Sequence, residues 1–81
     1  LQKKIRYPEI AKKAGVEGRV YIQFIVDQQG NVYDPIVTRG IGAGCDEEAI
    51  RAILTAKFKP GKQRGKAVKV KMSLPITFKL R

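Results

Sequence analysis

Every even-numbered position in residues 67–80, at the end of the chain, has an apolar side chain. The apolar positions are Val68, Val70, Met72, Leu74, Ile76, Phe78 and Leu80. A period of two predicts a β-strand with one buried and one wet face. Pro75 lies within this strand, and because proline has no N–H to give to a sheet ladder, it favours an edge strand. A long edge strand either has to be protected from unwanted pairing or serves as a docking surface for another chain.

The first part of the chain predicts a short tail and a short helix. Residues 1–7 are polar and basic without a period, which indicates an N-terminal tail. Pro8 suits the first position of a helix that runs over 8–14. Gly15 is a typical left-handed helix stop.

Two strands are predicted next. Residues 18–26 alternate, and Ile25 makes the second face partly apolar, which favours a central strand. Residues 27–31 have the composition of a hairpin turn. The second strand, 32–39, loses its alternation at Asp34-Pro35, and this break predicts a bulge on an edge strand.

A second helix follows the glycine-rich loop 40–44. We expect Asp46 to be its N-cap, with Glu47 and Glu48 in the first turn. The helical period of small and apolar residues continues until Pro60-Gly61 stops it. Residues 62–66 are predicted to be a basic loop that leads to the final strand.

These elements predict an α+β fold in two layers, with the order helix, strand, strand, helix, strand. The first two strands form a hairpin, so the last strand has to pair with the other side of the first. The result is a three-stranded antiparallel sheet of order 2-1-3 with both helices on one face. Residues 8–81 would form this domain and residues 1–7 its tail. The face under the helices would carry Val20, Ile22, Phe24, Val70, Met72, Leu74 and Ile76.

The charge of the chain is strongly positive and uneven. The net charge is +10, and the segment from Lys57 onward has nine Lys and Arg and no acidic residue. Such a field favours polyanions, namely nucleic acid, anionic lipid, envelope polymers or an acidic protein. The alternative is that the lysines blunt a sheet edge and keep the domain soluble.

The residue types argue against an enzyme and against a cofactor or metal site. The chain has no histidine, which removes most catalytic triads, imidazole bases and zinc sites. Cys45 is interpreted as a small buried residue, and the acids 46–48 as charges that favour a helix start. The same acids occupy the place where a phosphate would bind, so the glycine loop does not predict a nucleotide site.

Nucleic-acid binding has charge in its favour but lacks stacking residues. Readers of single strands use exposed aromatic side chains on a sheet, and here Tyr21 is the one aromatic assigned to the outer sheet face. We therefore expect no specific nucleic acid, and at most weak, salt-sensitive binding.

An ordered set of short motifs resembles the C-terminal domain of the TonB family. The motifs are Tyr7-Pro8, Gly18-Arg19-Val20, Phe24-Ile25-Val26-Asp27, Gly30-Asn31-Val32, Val37, Asp46-Glu47-Glu48-Ala49-Ile50, Phe58-Lys59-Pro60-Gly61 and Leu74-Pro75-Ile76-Thr77-Phe78. Gly40, Cys45 and Ala56 depart from the commonest residues of that pattern.

The resemblance implies a periplasmic domain of an energy transducer that is anchored in the inner membrane of a Gram-negative bacterium. In that family an N-terminal membrane helix contacts a proton-channel complex. The C-terminal domain binds the TonB box of an outer-membrane receptor as an added strand, and so drives transport of ligands such as iron-siderophore complexes. The domain also occurs fused to membrane signalling sensors. Because this chain begins at Leu1, we expect it to be part of a longer protein.

The expected docking residues lie along the last strand. If Pro75 faces the unpaired side, then Lys69, Lys71, Ser73 and Thr77 present their backbone groups there. Tyr7-Pro8 resembles the family's tyrosine-proline motif, which lies close to the receptor. A second copy of the chain could pair at the same edge to form a homodimer. The alternative function is a charge-driven module that binds nucleic acid or an envelope polymer.

Overall fold

The computed structural model describes residues 5–80. The predicted tail therefore lies partly outside the described residues. No helix among residues 5–80 is long and apolar enough to cross a membrane. The elements in chain order are α1 (Glu9–Ala14), β1 (Gly18–Val26), β2 (Val32–Arg39), α2 (Cys45–Thr55), β3 (Gly61–Gln63), β4 (Lys66–Val68) and β5 (Val70–Phe78).

The main sheet has three antiparallel strands in the order β2-β1-β5, which confirms the predicted order. β1 and β5 pair without a break over nine residue pairs, from Gly18 opposite Phe78 to Val26 opposite Val70. The register of β2 shifts where the alternation of its sequence breaks. At that point Asp34 takes a positive φ of 51° and Pro35 follows, so the predicted bulge is confirmed.

The hydrophobic core lies between one face of this sheet and the two helices. Side chains at even positions of β1 and β5 point inward, and Ala11, Cys45, Ala49 and Ile53 of the helices meet them. The fully buried sheet residues are Val20, Ile22, Phe24, Val26, Ile76 and Phe78. Val70, Met72 and Leu74 of β5 are only partly buried, although their partners in β1, which are Val26, Phe24 and Ile22, are fully buried.

The start of α2 differs from the prediction. Asp46 is not the N-cap, which is Gly44, because Cys45 already belongs to the helix. The Asp46 carboxylate instead accepts hydrogen bonds from the N–H groups of Ile41, at 2.9 Å, and Gly42, at 3.2 Å. A Cβ atom at Gly40 would lie 2.1 Å from that carboxylate, so a larger residue there would have to displace the Asp46 side chain from its hydrogen bonds.

The predicted end of α2 was also wrong, since the helix ends at Thr55 rather than at Pro60. The cause is Phe58, which leaves the helix to contact the sheet. Its N–H donates to the carbonyl of Gly30 at 3.0 Å, and its ring lies 5.1 Å from that of Phe24. These tertiary contacts outweigh the helical period of the sequence.

The prediction of a loop over residues 62–66 was wrong. These residues belong to a second hairpin, formed by β3 and β4. Arg64 and Gly65 form its turn with φ of 53° and 78°, as a two-residue turn of type I′ requires. We call residues 61–68 the basic hairpin. The pattern was missed because its strands have three residues each and almost no apolar side chains. The predicted final strand is correspondingly interrupted at Lys69.

The N-terminal segment is anchored to the domain from residue 5 onward. Ile5 and Tyr7 pack against the core as partly buried residues. Pro8 is the N-cap of α1 rather than its first helical residue, because its ψ of 140° is extended. Gly15 ends α1 with a φ of 69°, as predicted.

Candidate functional site

The side of β5 that faces away from β1 is the outer edge of the sheet. Within residues 5–80, β1 is the one strand that pairs with β5. The odd-numbered residues of β5 are exposed and the even-numbered ones are at least partly buried, so alternate side chains follow the predicted pattern. The exposed set is Lys71, Ser73, Pro75 and Thr77.

Pro75 fixes which backbone groups point to the outer edge. It lies opposite Tyr21 in an unbroken register. In an antiparallel ladder, hydrogen-bonded and non-hydrogen-bonded pairs alternate. Since Pro75 has no N–H, its pair with Tyr21 is a non-hydrogen-bonded one. The backbone groups of residues with the same parity, including Lys71 and Ser73, are therefore directed away from β1.

A side-chain contact on the other side of β1 supports the conclusion that Tyr21 and Pro75 form a non-hydrogen-bonded pair. The hydroxyl of Thr38 in β2 donates to the carbonyl oxygen of Tyr21 at 3.2 Å. The Tyr21 carbonyl is thus directed at β2 and not at β5. N–H and C=O of one strand residue point to the same side in an antiparallel ladder, so Tyr21 makes no ladder bond to Pro75.

Four of the predicted site residues, Lys71, Ser73, Pro75 and Thr77, lie on β5, whose nine residues span about 26 Å. Lys69 precedes β5 at one end. At the other end the ring of Tyr7 meets that of Phe78 edge to face at 5.5 Å. The Tyr7 hydroxyl donates to the carbonyl of Val16. Burial, with smaller effects of Cys45 and Glu17, raises the pKa of Tyr7.

Glu48 anchors the segment next to the Tyr7-Pro8 motif, a role that the sequence did not reveal. Its carboxylate accepts the backbone N–H of Arg6 at 2.7 Å. It also forms a bidentate pair with Arg51, at 2.9 and 2.6 Å. The Arg51 hydrogen bond and that of Arg6 together outweigh burial and lower the pKa of Glu48. Sequence alone indicated only a charge at a helix start, since Arg6 is 42 residues away.

An open cavity of about 400 Å³ lies beside this anchor. Pro8 and Gly44 both line it. They lie close together, since a Cβ atom at Gly44 would be 3.3 Å from the Pro8 Cβ. The full lining is Arg6, Tyr7, Pro8, Gly44, Glu47, Glu48 and Arg51. Tyr7 and Pro8 are thus brought together with the start of α2, and not with Lys71 or Ser73.

A second open cavity, of about 360 Å³, lies at the end of β5. Its lining is Glu17, Gly18, Arg19, Thr77, Phe78 and Lys79. The Glu17 carboxylate accepts the N–H of Leu80 at 2.9 Å and so holds the chain beyond β5 against the start of β1. This cavity therefore lies where the start of β1 meets the end of β5.

The remaining chemistry of residues 5–80 is limited. These residues contain no group of three or more potential metal ligands. Cys45 is fully buried, and burial, with the nearby Asp46 and Glu47, raises the pKa of its thiol. A neutral buried thiol is a poor nucleophile. The outer edge of β5 is the side of that strand with no partner strand among residues 5–80.

The whole domain is similar to known proteins. Residues 3–80 match the family described as Gram-negative bacterial TonB protein C-terminal. Protein TonB of Vibrio cholerae is 37% identical over 76 residues, which are 93% of this chain and 31% of that protein. The chain thus spans about a third of that relative's length.

Two solved structures have the same fold. The TonB C-terminal domain of Helicobacter pylori matches with a TM-score of 0.75 and 29% identity over 98% of this chain and 84% of that one. That of Pseudomonas aeruginosa matches with a TM-score of 0.77 and 27% identity over 99% and 82%. With the family match over residues 3–80, these likenesses establish that the chain belongs to the family of Gram-negative bacterial TonB C-terminal domains.

Proposed function

We propose that this domain binds the TonB box of an outer-membrane receptor as an additional strand along the outer edge of β5. The domain would lie in the periplasm as part of a protein anchored in the inner membrane. Through segments outside this chain, it would receive energy from a proton-channel complex and pass it to the receptor. Uptake of ligands such as iron-siderophore complexes would follow from this transfer.

The observation that carries the proposal is the direction of the backbone N–H and C=O groups along the outer edge of β5. Pro75 and Tyr21 form a pair that leaves the backbone groups of Lys71 and Ser73 pointing outward. A guest strand can bond to these groups without disturbing the ladder to β1. Strand addition derives its affinity from such main-chain bonds and its specificity from adjacent side chains. Pro75 removes one donor from the edge, which disfavours strands that need a complete ladder.

The connection of β5 to the rest of the domain suits the transfer of force. β5 is bonded to the central strand over nine residue pairs, and its end is held by the Tyr7 ring on Phe78. A pull along the strands would load the hydrogen bonds of the guest in parallel rather than one after another. We expect single-molecule pulling to show release of the guest well above negligible force.

An NMR titration with a peptide from a receptor N-terminus tests the proposal. The largest amide shifts are expected at Lys71, Ser73 and Thr77, with smaller ones on β2. Two N-methylated versions of the peptide provide the control. Methyl groups on the residues whose N–H faces β5 should abolish binding, whereas methyl groups on the alternate residues should preserve it. An unperturbed β5 in the presence of bound peptide would contradict the proposal.

A second copy of the chain is the other strand that fits this edge. We propose that the isolated domain can form a homodimer in which the outer edges of two β5 strands pair. Receptor peptide should then compete with the dimer, and sedimentation velocity at increasing peptide concentration should show a shift to monomer.

A further inference from the structure

The basic hairpin is a strongly charged projection that the proposed docking edge does not use. Lys62, Arg64 and Lys66 are all exposed. No acidic residue follows Glu48 in the chain, so none is interleaved with these cations. Among residues 5–80, the salt bridges are Lys12 with Glu9 and Arg51 with Glu48, and neither involves the hairpin. Its positive charge is therefore available to an external partner.

The hairpin is held in a defined place. Its strands pair in register from Gly61 opposite Val68 to Gln63 opposite Lys66. A Cβ atom at Gly61 would lie 2.6 Å from the side chain of Val70, so the base of the hairpin packs closely on the start of β5. Tyr7 contacts the other end of β5, at Phe78. The hairpin and the N-terminal segment thus lie at opposite ends of a domain that measures 49 × 21 × 17 Å.

The side-chain composition of the hairpin favours one class of anionic partner over the others. Its residues 61–68 include no aromatic side chain, and Ala67 and Val68 are its only apolar ones apart from glycine. Protein interfaces depend on buried aromatic or large apolar anchors, and single-stranded nucleic acid is bound by aromatic stacking. An anionic lipid surface requires neither, since each Lys or Arg near it contributes by its charge alone.

We propose that the tip of the basic hairpin docks on the surface of a bilayer that contains anionic lipids. Lys62, Arg64 and Lys66 lie among the phosphate headgroups. The beginning of β5 is then held near the bilayer, and its Phe78 end and the Tyr7 segment point away from it. The lipid contact stands by itself, whereas its use to present the outer edge of β5 to a membrane receptor rests on the proposed function.

Flotation with lipid vesicles tests the contact. Vesicles of phosphatidylcholine with about 30% phosphatidylglycerol are compared with pure phosphatidylcholine. The hairpin variant carries Lys62→Gln, Arg64→Gln and Lys66→Gln. The matched control carries Lys13→Gln, Arg19→Gln and Arg39→Gln, which removes the same charge from exposed positions outside the hairpin.

The chain should float with the anionic vesicles and not with the neutral ones. The hairpin variant should lose about a hundredfold in partitioning, because each cation near the surface contributes roughly fivefold. The control should stay within about threefold of the unmodified chain, since Arg19 and Arg39 lie opposite Thr77 and Tyr21, away from the start of β5 and the hairpin, and salt screens charges over about 10 Å. A charge-preserving variant, Lys62→Arg with Lys66→Arg, should bind as the unmodified chain does.

Three results would overturn the proposal. The first is absence of binding to anionic vesicles, and the second is an equal loss in both triple variants, which would indicate net charge alone. The third is hairpin-dependent binding to an acidic peptide or a single-stranded oligonucleotide without binding to vesicles.

Titration of the same variants with receptor peptide separates this contact from strand addition, because the hairpin variant should bind the peptide with unchanged affinity. If the peptide fails to bind while vesicle binding depends on the hairpin, strand addition is refuted and the lipid contact stands.

Discussion

Tyr21 and Pro75 face each other across β1 and β5, in a pair that makes no ladder hydrogen bond. This relationship lets a proline occupy the middle of a nine-residue strand without a lost bond to its neighbour. It also sets the direction of every backbone group in β5. Even-numbered residues bond to β1, and odd-numbered residues direct their groups to the outer edge.

Proline substitutions at adjacent positions of β5 should therefore have unequal effects on stability. Leu74→Pro removes a bond to β1 and should lower the free energy of unfolding by about 2–4 kcal/mol, whereas Ser73→Pro should lower it by less than about 1 kcal/mol. Urea unfolding measures both, with Leu74→Ala to account for the lost leucine side chain. Equal losses of stability for the two prolines would show that the assignment of even-numbered residues to bonds with β1 is wrong.

Acid should release the N-terminal segment through Glu48. The pKa of Glu48 is lowered in the fold by the Arg51 hydrogen bond and, after that, by the Arg6 N–H. The stabilisation is thus fully present above the ordinary glutamate pKa of about 4.3 and is lost as the pH falls through the lower folded value. NMR should show the Arg6 amide shift titrating with the Glu48 carboxyl.

The neighbouring acid provides the control for this effect. Glu47 lines the same cavity but is exposed. Glu48→Gln should abolish the acid titration of the Arg6 amide and speed its hydrogen exchange at neutral pH, whereas Glu47→Gln should leave both unchanged. A titration that persists in Glu48→Gln would assign the anchor to another group.

Two glycines with similar φ should respond differently to substitution. At Gly30, φ is 86° and a Cβ atom would lie 2.2 Å from the carbonyl oxygen of Phe58, whereas at Gly15, φ is 69° and nothing lies within 4 Å. Gly15→Ala should cost about 1 kcal/mol of strain. Gly30→Ala should cost at least about 2 kcal/mol, because the contact with Phe58 has to break as well. Thermal or urea unfolding measures the difference, and similar losses would mean that Phe58 moves away easily.

Local patterns predicted the sheet but not the ends of α2. The alternation in β1 and β5 and the broken alternation at Asp34-Pro35 gave the strands, the bulge and the order β2-β1-β5. These features depend on side-chain period and on the missing N–H of proline, which are properties of neighbouring residues. By contrast, α2 ends early because Phe58 contacts Gly30 and Phe24, which are distant in sequence.

The same contrast between local patterns and contacts distant in sequence applies to the candidate site. The parity of Pro75 predicted the residues along the outer edge, and that prediction stays open to test at each position. Sequence could not place Lys69 outside β5, because the alternation of residues 67–80 runs from the end of the basic hairpin into β5 without a visible break. It also could not reveal the Arg6–Glu48 anchor, since a carboxylate at a helix start has a sufficient local explanation.

The affinity of a receptor peptide for Ser73→Pro compared with Ser73→Ala tests strand addition most directly. Both changes remove the hydroxyl, but only proline removes the N–H at the outer edge and places a ring in the way of a guest strand. Isothermal titration calorimetry should show a loss of at least about tenfold for Ser73→Pro and less than about twofold for Ser73→Ala. Equal affinities for the two folded variants would show that the peptide does not bind as a strand on β5.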